Sequence, residues 1–295
     1  LIHKALQIKS DYGSHAALGN ALSRQGKLEE ASAEYRTAIR LQPDFHAGHE
    51  YLADILRRHG ELDEAIEEFR IASRIDPACT YVRAGLADCL RVQGKLDEAA
   101  AACKEALRSK PDDDGAHRSL RSILKDQGKL DEVIADCREL LRLRPDDAAC
   151  QNQLAWELLL SPRRSRGEYE EALAHSRKAV AMAPKVGYMV NTLALAELRL
   201  GHWTECIAAA EQSMAVGNGG DASDRFFLAT AYWRKGNKDE ARTWFDRGAA
   251  WTKEKDPKND EFRQFWTEAA ELLGQPGPGP ISTGSPTSRA AEKPH

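Results

Sequence analysis

The chain has 295 residues, 30% of them charged and 7% aromatic, and a formal net charge of −4. No apolar run approaches the roughly 20 residues that cross a bilayer, and acid and base are interspersed instead of gathered into a basic face that neutralises phosphates. No membrane and no nucleic acid are therefore expected among its partners.

In chain order, IHKALQIKSDYG reads as the end of a helix and its connector. Residues 1–11 are taken as the tail of a preceding repeat, and Leu1, with no initiating Met, as a cut within a longer protein. Seven glycines then punctuate the sequence: Gly26, Gly60, Gly94 and Gly128 at intervals of 34, then Gly167, Gly201 and Gly236 at 39, 34 and 35. The text around them recurs as RQGKLEEASAEYRTAI, RHGELDEAIEEFRIAS, VQGKLDEAAAACKEAL and DQGKLDEVIADCRELL, followed by Pro43, Pro77, Pro111 and Pro145. Glycine, lacking a Cβ, closes a helix in the left-handed conformation, and proline marks where the next one stops. Each period thus reads as helix, tight turn, helix, connector. Such a unit cannot bury its own apolar face, so neighbours must stack to make a core.

Apolar residues within a period keep helical spacing, as in Leu52 and Leu56 before the turn and Leu62, Ala65, Ile66, Phe69 and Ala72 after it. Ala31, Ala65, Ala99, Ala172 and Ala241 share a position where two helices approach closely. Tyr35, Phe69 and Phe245 fill another, at which Cys103, Cys137, Ser176 and Ala210 predict looser packing mid-array.

These positions resemble the tetratricopeptide repeat (TPR). The resemblance implies an all-α, right-handed superhelical solenoid of tandem helix-turn-helix repeats with a C-terminal capping helix. It places seven units at 12–45, 46–79, 80–113, 114–147, 148–186, 187–221 and 222–255. Departures from the pattern are Arg121 at a small position, Cys206 for the usual Ala, and Glu197 where an apolar residue is expected. The second half is further similar to repeat regions of planctomycete-type bacterial proteins, which often follow a Ser/Thr protein kinase domain. That similarity rests on the opening Asn152-Gln153-Leu154-Ala155-Trp156, the five-residue insertion before Gly167, Asn191-Thr192-Leu193, and the GGD…FFLA start of the last unit. After the units, Phe262, Phe265, Trp266, Ala269, Leu272 and Leu273 at helical spacing predict a capping helix over 256–273. The Gly, Pro and Ser content of 274–295 predicts disorder.

No GxSxG, HExxH, HRD or DFG motif is present, so no catalytic residue and no cofactor are expected in this chain. The six cysteines form no CxxC pair, which is the wrong spacing for zinc. They read as reduced core thiols, the state that the cytoplasm favours. His15, His49 and His117 share one repeat position, with Arg83 interrupting them; equivalent residues lie about a helix diameter apart, too far for common ligation, so no metal site is expected. The GNGGD turn at 217–221 reads as a connector with one inserted residue. RRSR at 163–166 reads as a solvated loop, with regulatory phosphorylation or an anion contact as the sharper alternative.

Function should lie on a surface shared by several units: a concave groove that holds a peptide or a partner helix. The alternative is a regulatory or recruitment region of a larger enzyme, a bacterial Ser/Thr protein kinase whose catalytic domain precedes Leu1. The family's carboxylate clamp for acidic tails is rejected, because its positions hold Ala16, Asn20, Tyr51, Tyr81 and Gly85 and only Asn20 matches. In the N-terminal half, Asp54 with Arg57 and Asp88 with Arg91 are expected to pair with each other at i,i+3. The C-terminal half offers Asn152, Trp156, Tyr188, Asn191, Phe226, Phe227 and Trp233, aromatics beside amides that suit anchoring a partner. The rival reading is that Phe226, Phe227 and Trp233 pack against the capping helix.

Overall fold

A computed structural model describes residues 11–160, 164–217 and 219–280. The expected repeat tail before Asp11 and the expected disorder beyond Pro280 lie outside the described residues. Those residues form fifteen α-helices and no strand, in two compact bodies, 1–143 and 144–295.

The N-terminal body holds α1 (Tyr12–Arg24), α2 (Leu28–Leu41), α3 (His46–His59), α4 (Leu62–Ile75), α5 (Thr80–Val92), α6 (Leu96–Ser109), α7 (Asp114–Asp126) and α8 (Leu130–Leu143). The C-terminal body holds α9 (Ala148–Leu160), α10 (Arg166–Met182), α11 (Gly187–Leu200), α12 (Trp203–Val216), α13 (Ala222–Arg234), α14 (Lys238–Lys255) and α15 (Asp260–Leu273). In each body a first helix packs against the second helix that follows it, and each hairpin stacks on the next.

The recurring LEEA, LDEA and LDEV segments supply two acids to the first turn of each N-terminal-body second helix, and Arg40, Arg74, Arg108 and Arg142 stand in the last turns. Both placements complement the helix dipole. Gly60 shows why the turns need glycine: at φ 84° its N–H reaches Arg57 O at 3.2 Å, while Glu61 N reaches Leu56 O at 2.9 Å. Gly85 marks a close approach between hairpins, since a Cβ there would stand 2.5 Å from the Phe69 ring. Phe69 thus lies directly on the α5 backbone. Cys103, Cys137, Ser176 and Ala210 are as completely buried as the aromatics they replace.

Repetition also generates ties between hairpins. Arg36–Glu64 (2.9 Å), Arg70–Glu98 (3.0 Å) and Lys104–Glu132 (3.3 Å) form one ladder along the second helices. With side chains about half exposed, each rung contributes about 0–1 kcal/mol, so the ladder sets register more than stability.

The shared histidine position has an internal role. His49 Nδ1 lies 2.5 Å from Glu68 Oε2 and its Nε2 lies 3.0 Å from Pro43 O; His117 repeats this with Asp136 (2.7 Å) and Pro111 O (2.9 Å). Neither an ionised carboxylate nor a carbonyl can donate, so both ring nitrogens must, which is the imidazolium form. The hydrogen bond to Glu68 raises the pKa of His49 against the pull of burial. For His117, burial opposes the charge, yet Asp136 and the Pro111 carbonyl outweigh it and the pKa is raised. His15 likewise meets Glu34 at 2.6 Å. The departures from the repeat pattern find partners too: Arg121 joins Asp136 at 3.1 Å, and buried Glu197 accepts from Arg177 at 2.8 Å and meets His202 at 2.7 Å.

Candidate functional site

The seven residues expected in the groove lie on first helices of the C-terminal body, Asn152 and Trp156 on α9, Tyr188 and Asn191 on α11, and Phe226, Phe227 and Trp233 on α13. Helix α15 lies against all three. Asn259 caps its start by accepting from Phe262 N at 3.1 Å, Asp260 and Glu261 occupy its first turn, and left-handed Gly274 ends it. One apolar stripe carries Phe265, Trp266, Ala269 and Leu273 into burial.

That stripe meets the three first helices in turn. On α9, Trp156 Nε1 donates to Glu261 at 3.4 Å, its ring sits edge-on to Phe265 at 6.2 Å, and Gln264 donates to Leu160 O at 2.9 Å. On α11, the Arg199 guanidinium grips Glu268 through two bonds of 2.5 and 3.0 Å. On α13, Phe227 meets Phe265 edge-to-face at 4.9 Å and Phe226 stacks on Trp266 at 6.1 Å. Trp251 of α14 closes the far side against Phe262.

The seven residues therefore part company. Phe226 and Phe227 are each 1% exposed beneath α15, and Trp156 is half-buried by it. Asn191 is buried and spends both donors of its amide inside the body, on Ser223 Oγ (3.2 Å) and Asp224 Oδ1 (2.7 Å). Burial pushes the Asp224 carboxyl up to about 6 and neighbouring Asp221 adds to this, while the Asn191 bond draws it down. Asn152 is buried, and its Oδ1 has no hydrogen-bond partner among the described residues. Tyr188 stays 61% exposed. Trp233 turns its face to Lys238, whose ammonium stands 5.1 Å from the ring centroid.

Arg199, Gln264 and Glu268, which complete the seat of α15, were not foreseen. Between α15 and the wall a cleft of about 310 Å³ persists, bordered by Leu198, Trp203, Thr230, Arg234 and Leu272. The helix thus covers the wall without filling it. Disorder was expected from Gly274 onward, but residues 275–280 run back along α15: Trp266 Nε1 donates to Pro276 O at 3.2 Å and Arg263 Nη2 to Gly279 O at 2.6 Å.

Elsewhere the expected surface is modified by its partners. Arg57 pairs with Asp54 at 2.6 Å as expected, but Arg91 reaches across to Asp126 at 3.2 Å instead of pairing with Asp88. Asn20, the one match to the carboxylate clamp, accepts from Tyr35 Oη at 2.8 Å and is held inside its own hairpin. Burial pushes the Cys89 thiol up to about 11 and that of Cys103 up to about 12, and raises that of Cys206, so these three are packing groups rather than nucleophiles. Arg163 of the RRSR segment lies outside the described residues. Ser165 caps α10 through a reciprocal capping box with Glu168, and Arg164 and Arg166 pair with Glu168 and Glu170, each at 3.0 Å.

Two models of the tetratricopeptide repeat match the sequence, one over residues 16–80 and 191–259 and the other over 56–124. Similar solved structures include a tetratricopeptide repeat protein from Parabacteroides merdae (TM-score 0.56, 16% identity, 90% of this chain and 98% of that one). They also include Pseudomonas aeruginosa pilF (TM-score 0.52, 16% identity, 76% and 97%) and the APC/C hetero-tetramer Cut9–Hcn1 (TM-score 0.53, 17% identity, 92% and 51%). At these identities the likeness concerns the fold. No curated protein matches the chain.

Proposed function

Because the chain belongs to the tetratricopeptide repeat family, we propose that it is a protein-interaction module whose C-terminal body receives an amphipathic helix, and that α15 is the resident intramolecular ligand of that surface. The supporting observation is the bond from Trp156 to Glu261, 105 residues apart in sequence. A helix that merely continued the stack would touch the last hairpin alone. Instead α15 presents Phe265, Trp266 and Glu268 to the first helices of three hairpins, which is the anchor pattern of a helix lying in a groove.

The chemistry of the seat defines the partner. Phe226 and Phe227 offer aromatic edges and faces, Trp156 offers a ring and a donor, and Arg199 a bidentate fork for a carboxylate. A matching helix carries two adjacent aromatics followed within a turn by Glu or Asp. Tethering gives α15 an effective concentration of about millimolar order, so an external partner must bind more tightly or act when α15 is displaced. The matches concern repeats alone; an upstream kinase domain rests on the style of the repeats and gains nothing from them.

Selection from a displayed library of helical peptides, against the full chain carrying Phe265→Ala and Glu268→Ala, tests this reading. It is expected to enrich acidic–aromatic helices whose binding is lost with Arg199→Met. Enrichment of extended or basic peptides, or binding indifferent to Arg199, would reject it.

A further inference from the structure

The N-terminal body holds a cluster that the groove does not explain. His46 and Glu50 stand one turn apart on α3, and Cys79 stands at the start of α5, 29 residues beyond Glu50 in sequence. His46 Nε2 lies 3.3 Å from Glu50 Oε2, Cys79 Sγ lies 3.9 Å from the same oxygen, and all three ligand atoms fall within 4.8 Å of one another. We propose that His46, Glu50 and Cys79 form a binding site for a divalent transition metal of the zinc class, open at its fourth position.

The geometry tests the fit. Tetrahedral Zn²⁺ with bonds of about 2.0–2.3 Å holds nitrogen, oxygen and sulfur ligands about 3.3–3.6 Å apart. The nitrogen–oxygen separation already meets this; the sulfur stands a few tenths of an ångström too far from the carboxylate oxygen and lies within 4.8 Å of the nitrogen, so Cys79 must close on both when the metal binds. His46 Nε2 supplies the second observation. It is buried, and although near Glu50 it is out of line for a hydrogen bond and has no such partner among the described residues. A buried ring nitrogen without a hydrogen-bond partner, within 4.8 Å of a carboxylate oxygen and a thiol sulfur, is a donor that a cation would satisfy.

Cys79 fits the same reading, because it alone among the six cysteines is not buried in the core. The donor set of one imidazole, one carboxylate and one thiolate selects Zn²⁺ or Co²⁺ over Mg²⁺ and Ca²⁺, which take oxygen. Three protein ligands leave one position for water or for a ligand from outside. Binding would clamp α3 to the start of α5 and so fix the second hairpin against the third; one proton leaves the Cys79 thiol as the metal–sulfur bond forms.

The full chain, stripped with a chelator and titrated with Co²⁺ alone, should bind one equivalent and develop a thiolate-to-cobalt charge-transfer band. Zn²⁺ should bleach that band. Cys79→Ser should abolish it, and Glu50→Gln or His46→Ala should weaken binding at least tenfold. As a readout independent of any variant's folding, bound Zn²⁺ should protect Cys79 of the native chain from alkylation, resolved by peptide mass spectrometry. Absence of the band, a band that survives Cys79→Ser, or alkylation of Cys79 unchanged by Zn²⁺ would each overturn the proposal.

Discussion

The bidentate contact between Arg199 and Glu268 gives the seat of α15 a measurable energy. Its two bonds of 2.5 and 3.0 Å are charge-assisted, and the side chains retain 12% and 30% of their exposure. Hydrogen bonds to charged groups contribute about 1.5–3 kcal/mol net when well buried, and surface pairs about 0–1. Partial exposure at Glu268 places the coupling between these limits, at about 1–2 kcal/mol. Arg199→Met leaves Glu268 with its bond from Gln264 (2.9 Å), which moderates the loss, while Glu268→Ala leaves the guanidinium only a longer contact to Leu159 O at 3.4 Å. A double-mutant cycle over these two substitutions, read by native-state hydrogen exchange of the α15 amides, isolates the pairwise term. Coupling below about 0.3 kcal/mol would show that α15 does not rest on Arg199, and the proposed seat would fall with it.

Three further outcomes follow from other contacts. Gly85→Ala should destabilise the N-terminal body by about 1–2 kcal/mol, because overpacking against Phe69 costs about 1–3 kcal/mol while the gain in helix propensity returns about 0.5–1; a urea midpoint equal to wild type would contradict the close approach. His49 and His117 have folded pKa values above the unfolded value, so their stabilisation is complete below about pH 6.5 and is lost as pH rises through the folded values. Urea titrations between about pH 5 and 9 should show stability falling on the alkaline side, and His49→Gln with His117→Gln should flatten that dependence; an unchanged slope in the double variant refutes the imidazolium assignment. Trp156→Ala should loosen the first turns of α15 and raise their exchange rates while leaving α1–α8 unchanged, and unaltered protection at Phe262 and Phe265 would count against the Trp156 contact.

The hairpins were legible in the sequence because their causes are local. A left-handed glycine, a helix-stopping proline and an acidic first turn each act within a few residues, and they recur. The seat of α15 was only half legible. Its apolar stripe announced a cap, and of the alternative that Phe226, Phe227 and Trp233 pack against that cap, the two phenylalanines do so while Trp233 faces Lys238. The periodicity of the phenylalanines could say that they were buried and not by what. Contact with Trp156 and Arg199 depends on where α15 lies relative to hairpins two and three units back, which no local pattern encodes. Asn191 illustrates the same limit from the other side: an amide on the expected face turned inward because the Asp224 carboxylate, buried at the start of α13, needed a donor. The trio of His46, Glu50 and Cys79 escaped motif reading because its members stand at opposite ends of one repeat, Glu50 and Cys79 being 29 residues apart, and no local spacing rule joins them.

The most direct measurement is a titration of a labelled peptide spanning residues 258–280 into two forms of the full chain, wild type and the Phe265→Ala, Glu268→Ala variant. In wild type, tethered α15 holds the wall; in the variant its two strongest anchors are gone, so the peptide should bind at least about tenfold more tightly and lose that advantage when Arg199→Met is added. Equal affinity for both forms, or no binding to a variant whose helical content is intact by circular dichroism, would contradict the account of α15 as a ligand on a helix-binding surface.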